Sequence, residues 1–324
     1  MEQQSSEKVR WGILGCGDVT EVKSGPALQK VDRSEVHSVM RRDQDKAADY
    51  ARRHGVPDWT SDASALLANP DLDAIYIATP PNSHKDYAIA ALRAGKDVLL
   101  EKPMGMTPDE CAAIEAVVQE TGRKLCVAYY RRALSRFEKM RKLVQSGAIG
   151  EVRLIEVRHF LTAETKPGQA WKLDEDTGGG GYFVDVQSHT LDWLTYVFGA
   201  PRAATGLKKH QSKLYPAEDL VTYLLDFETI SAVGLCAYAI SEEEEKVMIH
   251  GDKGSVSMSF FSACPIELRL DGTVATLEYP DPEHVHQPFI ERVIAHFLDG
   301  APNPCSASEG RLSTDLKTRI FQGF

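Results

Sequence analysis

At 324 residues the chain is longer than one hydrophobic core comfortably serves and suits two domains. Its 43% hydrophobic and 26% charged residues exclude a disordered chain, and no stretch approaches the length of a membrane span. Lys+Arg 37 against Asp+Glu 47 leaves a net charge of -10, which argues against a nucleic-acid partner but leaves room for a local basic pocket.

Residues 1–10 are polar and charged, with no apolar run to act as a signal peptide, so cytoplasm is the expected compartment. From Val9 to about Val127, strand-like apolar runs (9–14, 36–40, 74–78, 97–100 and 124–127) alternate with helical patterns (43–54, 85–94 and 108–121). Such alternation predicts βαβ units and a doubly wound, Rossmann-type parallel sheet, and the first domain is drawn at 1–128. A second domain, 129–324, is expected to be α+β with an open, largely antiparallel sheet. Residues 134–145 read as a helix, 152–160 as a strand and 182–197 as a helix stopped by Gly199 and Pro201. Strand-like runs at 220–227, 230–239, 246–250 and 255–260 follow, then a helix at 288–298. Glu242 to Glu245 reads as a solvated turn. The six cysteines are scattered without C-x-x-C spacing, which fits a reducing compartment and signals neither a disulfide framework nor a metal site.

Several motifs carry chemistry. Gly15-Cys16-Gly17 follows the first strand, as a dinucleotide fingerprint requires: one glycine for the turn, the next for close approach of backbone amides to a pyrophosphate. Gly15, Gly17, Asp18 and Val19 are therefore expected at a cofactor. The third fingerprint position holds Thr20, so strand–helix packing has to accommodate a β-branched residue. At the end of the second strand the chain reads Met40-Arg41-Arg42-Asp43. Two guanidiniums suit a 2′-phosphate, so Arg41 and Arg42 point to NADP(H), while Asp43 leaves NAD(H) open. Thr79-Pro80-Pro81-Asn82-Ser83-His84 forms a strand-to-helix turn, read both as cofactor contact (Thr79, Pro80, Asn82, His84) and as capping by Asn82 or Ser83.

Glu101-Lys102-Pro103 follows the strand at 97–100. A lysine held beside a cofactor serves acid–base chemistry; a surface lysine paired with Glu101 is the plainer reading. Asp185 and His189 lie four apart on an expected helix, with Asp192 one turn on, so that an acid can orient a proton-accepting imidazole. An isolated pair of this kind is more often a buried histidine satisfied by a local acid. The glycines at 178–181 just before it suggest a loop that a ligand can approach.

Taken together, these residues resemble the Gfo/Idh/MocA family of glucose–fructose oxidoreductases, inositol 2-dehydrogenases and their rhizopine-catabolism relatives, over nearly the whole chain. The resemblance implies hydride transfer between NAD(P) and a carbinol carbon of a sugar, inositol or related polyol, with homodimers or homotetramers formed through the open sheet. It implies Lys102 as the catalytic lysine, His189 as proton acceptor or donor and Asp185 as its partner near substrate hydroxyls, with Glu101 and Lys102 also at the cofactor. Trp171-Lys172 resembles a Trp-Arg step near cofactor and substrate, with lysine in place of arginine. Tyr129-Tyr130-Arg131-Arg132 resembles the domain-crossing segment, where relatives often carry Asn before the arginines. Relatives often run slightly beyond the equivalent of Phe324. Two other readings stay open: a dinucleotide-binding sensor without chemistry, and a glycoside-cleaving enzyme using NAD for transient oxidation. Intact Lys102, Asp185 and His189 argue against the first, and Arg41-Arg42 against the second.

Overall fold

The computed structural model of the chain describes residues 7–162 and 170–323. Residues 1–6 of the polar start, and Phe324, lie outside that range. The chain divides into two compact units: Met1–Ala133 with Pro282–Arg311, and Leu134–Asp281 with Leu312–Phe324.

In the first unit, β1 (Val9–Leu14), α1 (Asp18–Val22), α2 (Ser24–Lys30), β2 (Ser34–Met40), α3 (Gln44–His54), β3 (Asp58–Thr60) and α4 (Ala63–Ala68) are followed by β4 (Ala74–Ile77), α5 (His84–Arg93), β5 (Asp97–Leu100), α6 (Pro108–Thr121) and β6 (Leu125–Val127). The strands form one parallel sheet in the order β3-β2-β1-β4-β5-β6. β4 is buried at every position and β5 at all but its first, because helices cover both faces. Local chemistry sets the helix ends. Asp43 caps α3 by accepting from Lys46 N (3.1 Å), and Gly55 ends it at φ 66°. Thr107 caps α6, with Pro108 opening it and Gly122 closing it at φ 64°. Strand order reverses between β1 and β4, so the turns after β1, β2, β4 and β5 share the carboxyl edge of the sheet, where ligands of such folds bind.

The second unit holds α7 (Ser135–Gln145), β7 (Val152–Phe160), α8 (Glu175–Gly178) and α9 (Ser188–Phe198), then β8 (Ala203–Lys209), β9 (Leu220–Asp226), β10 (Ser231–Ala237), β11 (Glu244–Gly251), β12 (Gly254–Met258), β13 (Ile266–Leu270) and β14 (Thr273–Leu277). Its sheet runs β14-β13-β12-β11-β7-β10-β9-β8 and is antiparallel except where β7 meets β10. The mixed architecture is the one expected: a Rossmann-type parallel sheet and a second, largely antiparallel sheet. Inward residues alternate along the strands, with Ile155, Val157 and His159 from β7 and Val221, Tyr223 and Leu225 from β9 buried.

The remaining helices are α10 (Gln287–Asp299) and α11 (Ala307–Gln322). α10 belongs to the first unit, where Phe297 lies against Trp11 with ring centroids 5.8 Å apart. Two local expectations need correction. Residues 182–197 are not one α-helix, because a π-helical turn at Phe183–Gln187 precedes α9. Glu242–Glu245 is not wholly a solvated turn, because Glu244 and Glu245 begin β11. The Glu245 carboxylate is anchored by Phe260 N (2.7 Å), Phe261 N (3.0 Å) and a short hydrogen bond from the Ser259 hydroxyl.

Candidate active site

The glycine turn has the shape a pyrophosphate needs. Gly15 adopts φ 96°, and a Cβ there would meet Thr79 Cγ2 at 2.8 Å and the Ala78 carbonyl at 3.0 Å. Its N–H is held by Met40 O (2.9 Å). Gly17 caps α1, and a Cβ on it would meet only Gly15 O, at 4.0 Å. The turn is thus tight on the sheet side and open on the other, with Asp18 exposed beside it, and this cradle fits a dinucleotide. Thr20 is fully buried and turns its hydroxyl back to Gly17 O (2.7 Å), while Tyr50 OH donates to Thr20 O (3.0 Å). Close packing comes instead from Gly25, whose Cβ would lie 2.1 Å from Thr20 O. That glycine lets α2 approach the Thr20 carbonyl of α1 and the Tyr50 hydroxyl of α3.

At the end of β2, Arg41 is half-buried and donates to Cys16 O (3.1 Å), which ties it to the glycine turn. Arg42 is exposed. Asp43 is occupied in capping α3 and in an ion pair with Lys46 (3.2 Å). The two guanidiniums are therefore the polar groups offered at this strand end.

The turns after β4 and β5 are bolted together by His84. It is fully buried, with Nδ1 2.8 Å from Pro103 O and Nε2 2.9 Å from Thr79 O. Burial holds its imidazole below the usual histidine range, against the raising effect of the two carbonyls. His84 thus braces two loops rather than presenting its ring to a ligand, which corrects its expected role. The capping expectation also changes, since the Ser83 hydroxyl points back to Thr79 Oγ1 (2.7 Å) and Pro80 O (2.8 Å) instead of into α5. Asn82 remains exposed. Lys102 is half-buried and joined to Pro103 by a cis peptide. Glu101 turns inward, where its carboxylate accepts from Tyr76 OH (2.6 Å) and its pKa is raised by burial. It is buried rather than exposed, with its other oxygen 3.3 Å from Lys102 N.

Sequence reasoning missed a further neighbour of that carboxylate. His286, from the returning segment, is buried against Tyr130 (ring centroids 4.2 Å apart, stacked), with Nδ1 4.0 Å from Glu101 Oε1. Burial, with the charges of Lys23, Arg131 and Lys102, pushes its pKa down to about 3. The carboxylate distance would favour a charged ring, but Glu101 is itself pushed toward its neutral form, so desolvation wins.

In the second unit the structure brings Lys172 onto Asp185, Nζ to Oδ2 at 2.9 Å with both side chains about three-quarters buried. Lys172 also lies 5.8 Å from the centre of the partly exposed Trp171 ring. His189 is buried one turn further on, with Asp192 buried beyond it. His189 meets the edge of Phe261 (6.3 Å), and the same ring stacks on buried His159 (5.1 Å, 10°). Gln187 Nε2 donates to His159 Nδ1 (2.9 Å). The loop carrying Phe261 is held from its carbonyl side by buried Arg136, which donates to Ser259 O (2.7 Å), Phe260 O (3.2 Å) and Ser262 O (2.8 Å). On its amide side Glu245 completes the clamp. The sequence signal for His159 was its inward position on β7; nothing marked Phe261 or Arg136.

The glycine run has a different cause from the one expected. A Cβ on Gly178 would meet the carbonyls of Trp171 (2.8 Å) and Lys172 (3.0 Å), and one on Gly180 would lie 2.4 Å from Val184 Cγ2. The protein's own backbone and side chains fill that space, so these glycines serve internal close packing.

Two family models match: an oxidoreductase family with an NAD-binding Rossmann fold over residues 9–129, and the GFO/IDH/MocA C-terminal domain over 137–257. With the sheets and turns described, they define a two-part nicotinamide-dependent oxidoreductase. The chain belongs to the Gfo/Idh/MocA family. It is 37% identical to Oxidoreductase P35 of Formosa agariphila over 315 residues, covering 95% of this chain and 97% of that one. It is 29% identical to the 1,5-anhydro-D-fructose reductase of Ensifer adhaerens, over 76% and 74% of the two chains. The aldose-aldose oxidoreductase of Caulobacter crescentus, solved with glycerol, superposes with a TM-score of 0.87 at 26% identity, over 96% of each chain. No helix among the described residues is long and apolar enough to cross a membrane, and no group of three or more potential ligands there is placed to hold a metal ion.

Proposed function

We propose that this enzyme is an NADP-preferring oxidoreductase that moves a hydride to or from a hydroxyl-bearing carbon of a sugar, inositol or related polyol or keto-sugar. The observation that carries the cofactor choice is the end of β2, where Arg42 is exposed, Arg41 is held beside the glycine turn, and the adjoining carboxylate, Asp43, is spent on a helix cap. Gly15, Gly17, Asp18, Val19, Thr79, Pro80 and Asn82 line the carboxyl edge around it. A bound nicotinamide supplies the hydride donor or acceptor. Lys102 steadies negative charge developing on the substrate oxygen, and His189 takes the hydroxyl proton in oxidation or returns it in reduction. Asp185, its charge balanced by Lys172, holds substrate hydroxyls and orients the histidine; Trp171 is the partly exposed ring beside that pair. The names of the anhydrofructose reductase and the aldose-aldose oxidoreductase support a sugar-like substrate.

The first domain, 1–128, binds the dinucleotide, and 129–324 binds the substrate and supports self-association in the cytoplasm as a homodimer or homotetramer. Self-association is supported by the outer face of the second sheet. Leu207, Leu224, Val233 and Leu235 are each at least 40% exposed there, and Leu224 pairs directly with Val233 across β9 and β10. The test is nicotinamide absorbance against a panel of sugars, inositols and keto-sugars, with NADP(H) and NAD(H) in parallel. Turnover of one class, faster with NADP(H), supports the reading. Faster turnover with NAD(H) refutes the cofactor assignment, and silence across the panel refutes the substrate class.

A further inference from the structure

We propose that Glu218 is a positioning residue for the reaction, fixing through its buried carboxyl the run of glycines that leads into Asp185 and His189. The proposal rests on the reading of function above. Glu218 is 3% exposed and lies on the chain just before β9. Its Oε1 accepts from Gly181 N at 2.9 Å. The carbonyl of the same glycine accepts from Asp185 N at 3.1 Å, so one residue is held at both its polar ends, by the carboxyl on one side and by the π-helical turn on the other.

The glycines make this approach possible. A Cβ on Gly181 would lie 2.9 Å from Glu218 O and 3.0 Å from Ala217 Cβ, and one on Gly180 would lie 3.3 Å from Glu218 Oε1. Ala217, beside Glu218 in the chain, packs with Tyr215 and Leu173 in a buried apolar cluster, with Tyr182 against it. Glu218 Oε2 is buried and has no hydrogen-bond partner among the described residues. An ionised carboxylate is costly in such a place, and burial accordingly raises its pKa. What the site uses is therefore an acceptor oxygen, which an amide also supplies. Asp185 sits at the far end of this brace, with its own side chain on Lys172. A shift of the glycine run moves the acid and the π-helical turn that leads into α9, which carries His189.

The test uses the full chain with Glu218→Ala, Glu218→Gln and Gly181→Ala, the last pushing the run away from Glu218 and Ala217, which its added Cβ would meet at 2.9 and 3.0 Å. Glu218→Ala and Gly181→Ala are expected to lower kcat by roughly 10- to 100-fold while leaving the KM for NADPH unchanged, since misplacing a catalytic group by about 1 Å has effects of that size. Glu218→Gln is expected to keep kcat within about threefold, because its amide oxygen replaces the acceptor. Hydrogen exchange at the amides of Gly181 and Asp185 gives a readout independent of turnover: faster in Glu218→Ala, unchanged in Glu218→Gln. A folded Glu218→Ala with normal kcat and normal exchange overturns the proposal, as does a Glu218→Gln that loses as much as Ala. Should Glu218→Ala fail to fold, normal kcat and exchange at Asp185 in Gly181→Ala overturn it equally. A wild type that turns over nothing refutes the reading of function instead, and the exchange measurements still decide whether Glu218 holds the run.

Discussion

Replacing His286 by Phe isolates one buried titration. The ring stays available to stack on Tyr130, at 4.2 Å in the wild type, and the imidazole's 4.0 Å separation from Glu101 is too long for a hydrogen bond that Phe would forfeit. In the folded protein the imidazole protonates only near pH 3. In the unfolded chain it protonates near its ordinary value, about 6.5. The unfolded state therefore binds the proton first as pH falls. Stability linked to this group is complete above pH 6.5 and drains away below it. By linkage the wild type loses about 2 kcal/mol between pH 8 and pH 5 from His286 alone, approaching 1.4 kcal/mol per pH unit at the acid end. His286→Phe does not lose it. The assay is urea unfolding of wild type and variant at intervals from pH 8 to pH 5, comparing their difference at each pH. The gap should close or reverse in favour of the variant by about 2 kcal/mol. Parallel pH profiles would refute the claim that His286 is buried in its neutral form.

Other consequences follow from the same geometry. Arg42→Ser, chosen because Arg41 also braces the glycine turn, should raise the KM for NADPH about tenfold, the worth of one charge-assisted hydrogen bond at about 1.5 kcal/mol, and leave NADH unaffected. Equal effects on both cofactors would contradict a 2′-phosphate contact. Gly234→Ala would place a Cβ 2.0 Å from the ring of buried Tyr223, so it should destabilise the second unit by about 1–3 kcal/mol, seen as a lowered Tm. An unchanged Tm would show that the ring moves aside freely.

Much of the first unit was legible in the sequence because a parallel sheet writes itself in short apolar runs separated by capped helices. β1, β4 and β5 emerged from their apolar stretches, and Asp43, Gly55, Pro108 and Gly122 mark helix ends by their own backbone chemistry. The return of the chain was not legible. The apolar face of α10 states that it is covered but not which sheet covers it, and so neither the contact of Phe297 with Trp11 nor the burial of His286 beneath Glu101 carried a sequence signal. The π-helical turn before α9 was hidden for a related reason: one extra residue in a turn leaves helical spacing almost unchanged over five residues. The glycine run was noticed for a reason the structure replaces. Its small residues answer to Trp171, Lys172, Val184 and Glu218, which lie close only after folding. Polar partners far apart in the chain, such as Glu245 with the Phe260 and Phe261 amides, belong to the same class. Composition cannot announce them, because each half looks like an ordinary charged or loop residue.

The most direct test of the central claim compares wild type with Lys102→Ala on the best substrate of the panel, measuring turnover and NADPH affinity on the same preparations. Turnover should fall by roughly 10²–10⁴ while NADPH affinity stays nearly intact, as removal of a group acting on the substrate oxygen requires. Near-wild-type turnover in Lys102→Ala would contradict the account at its centre.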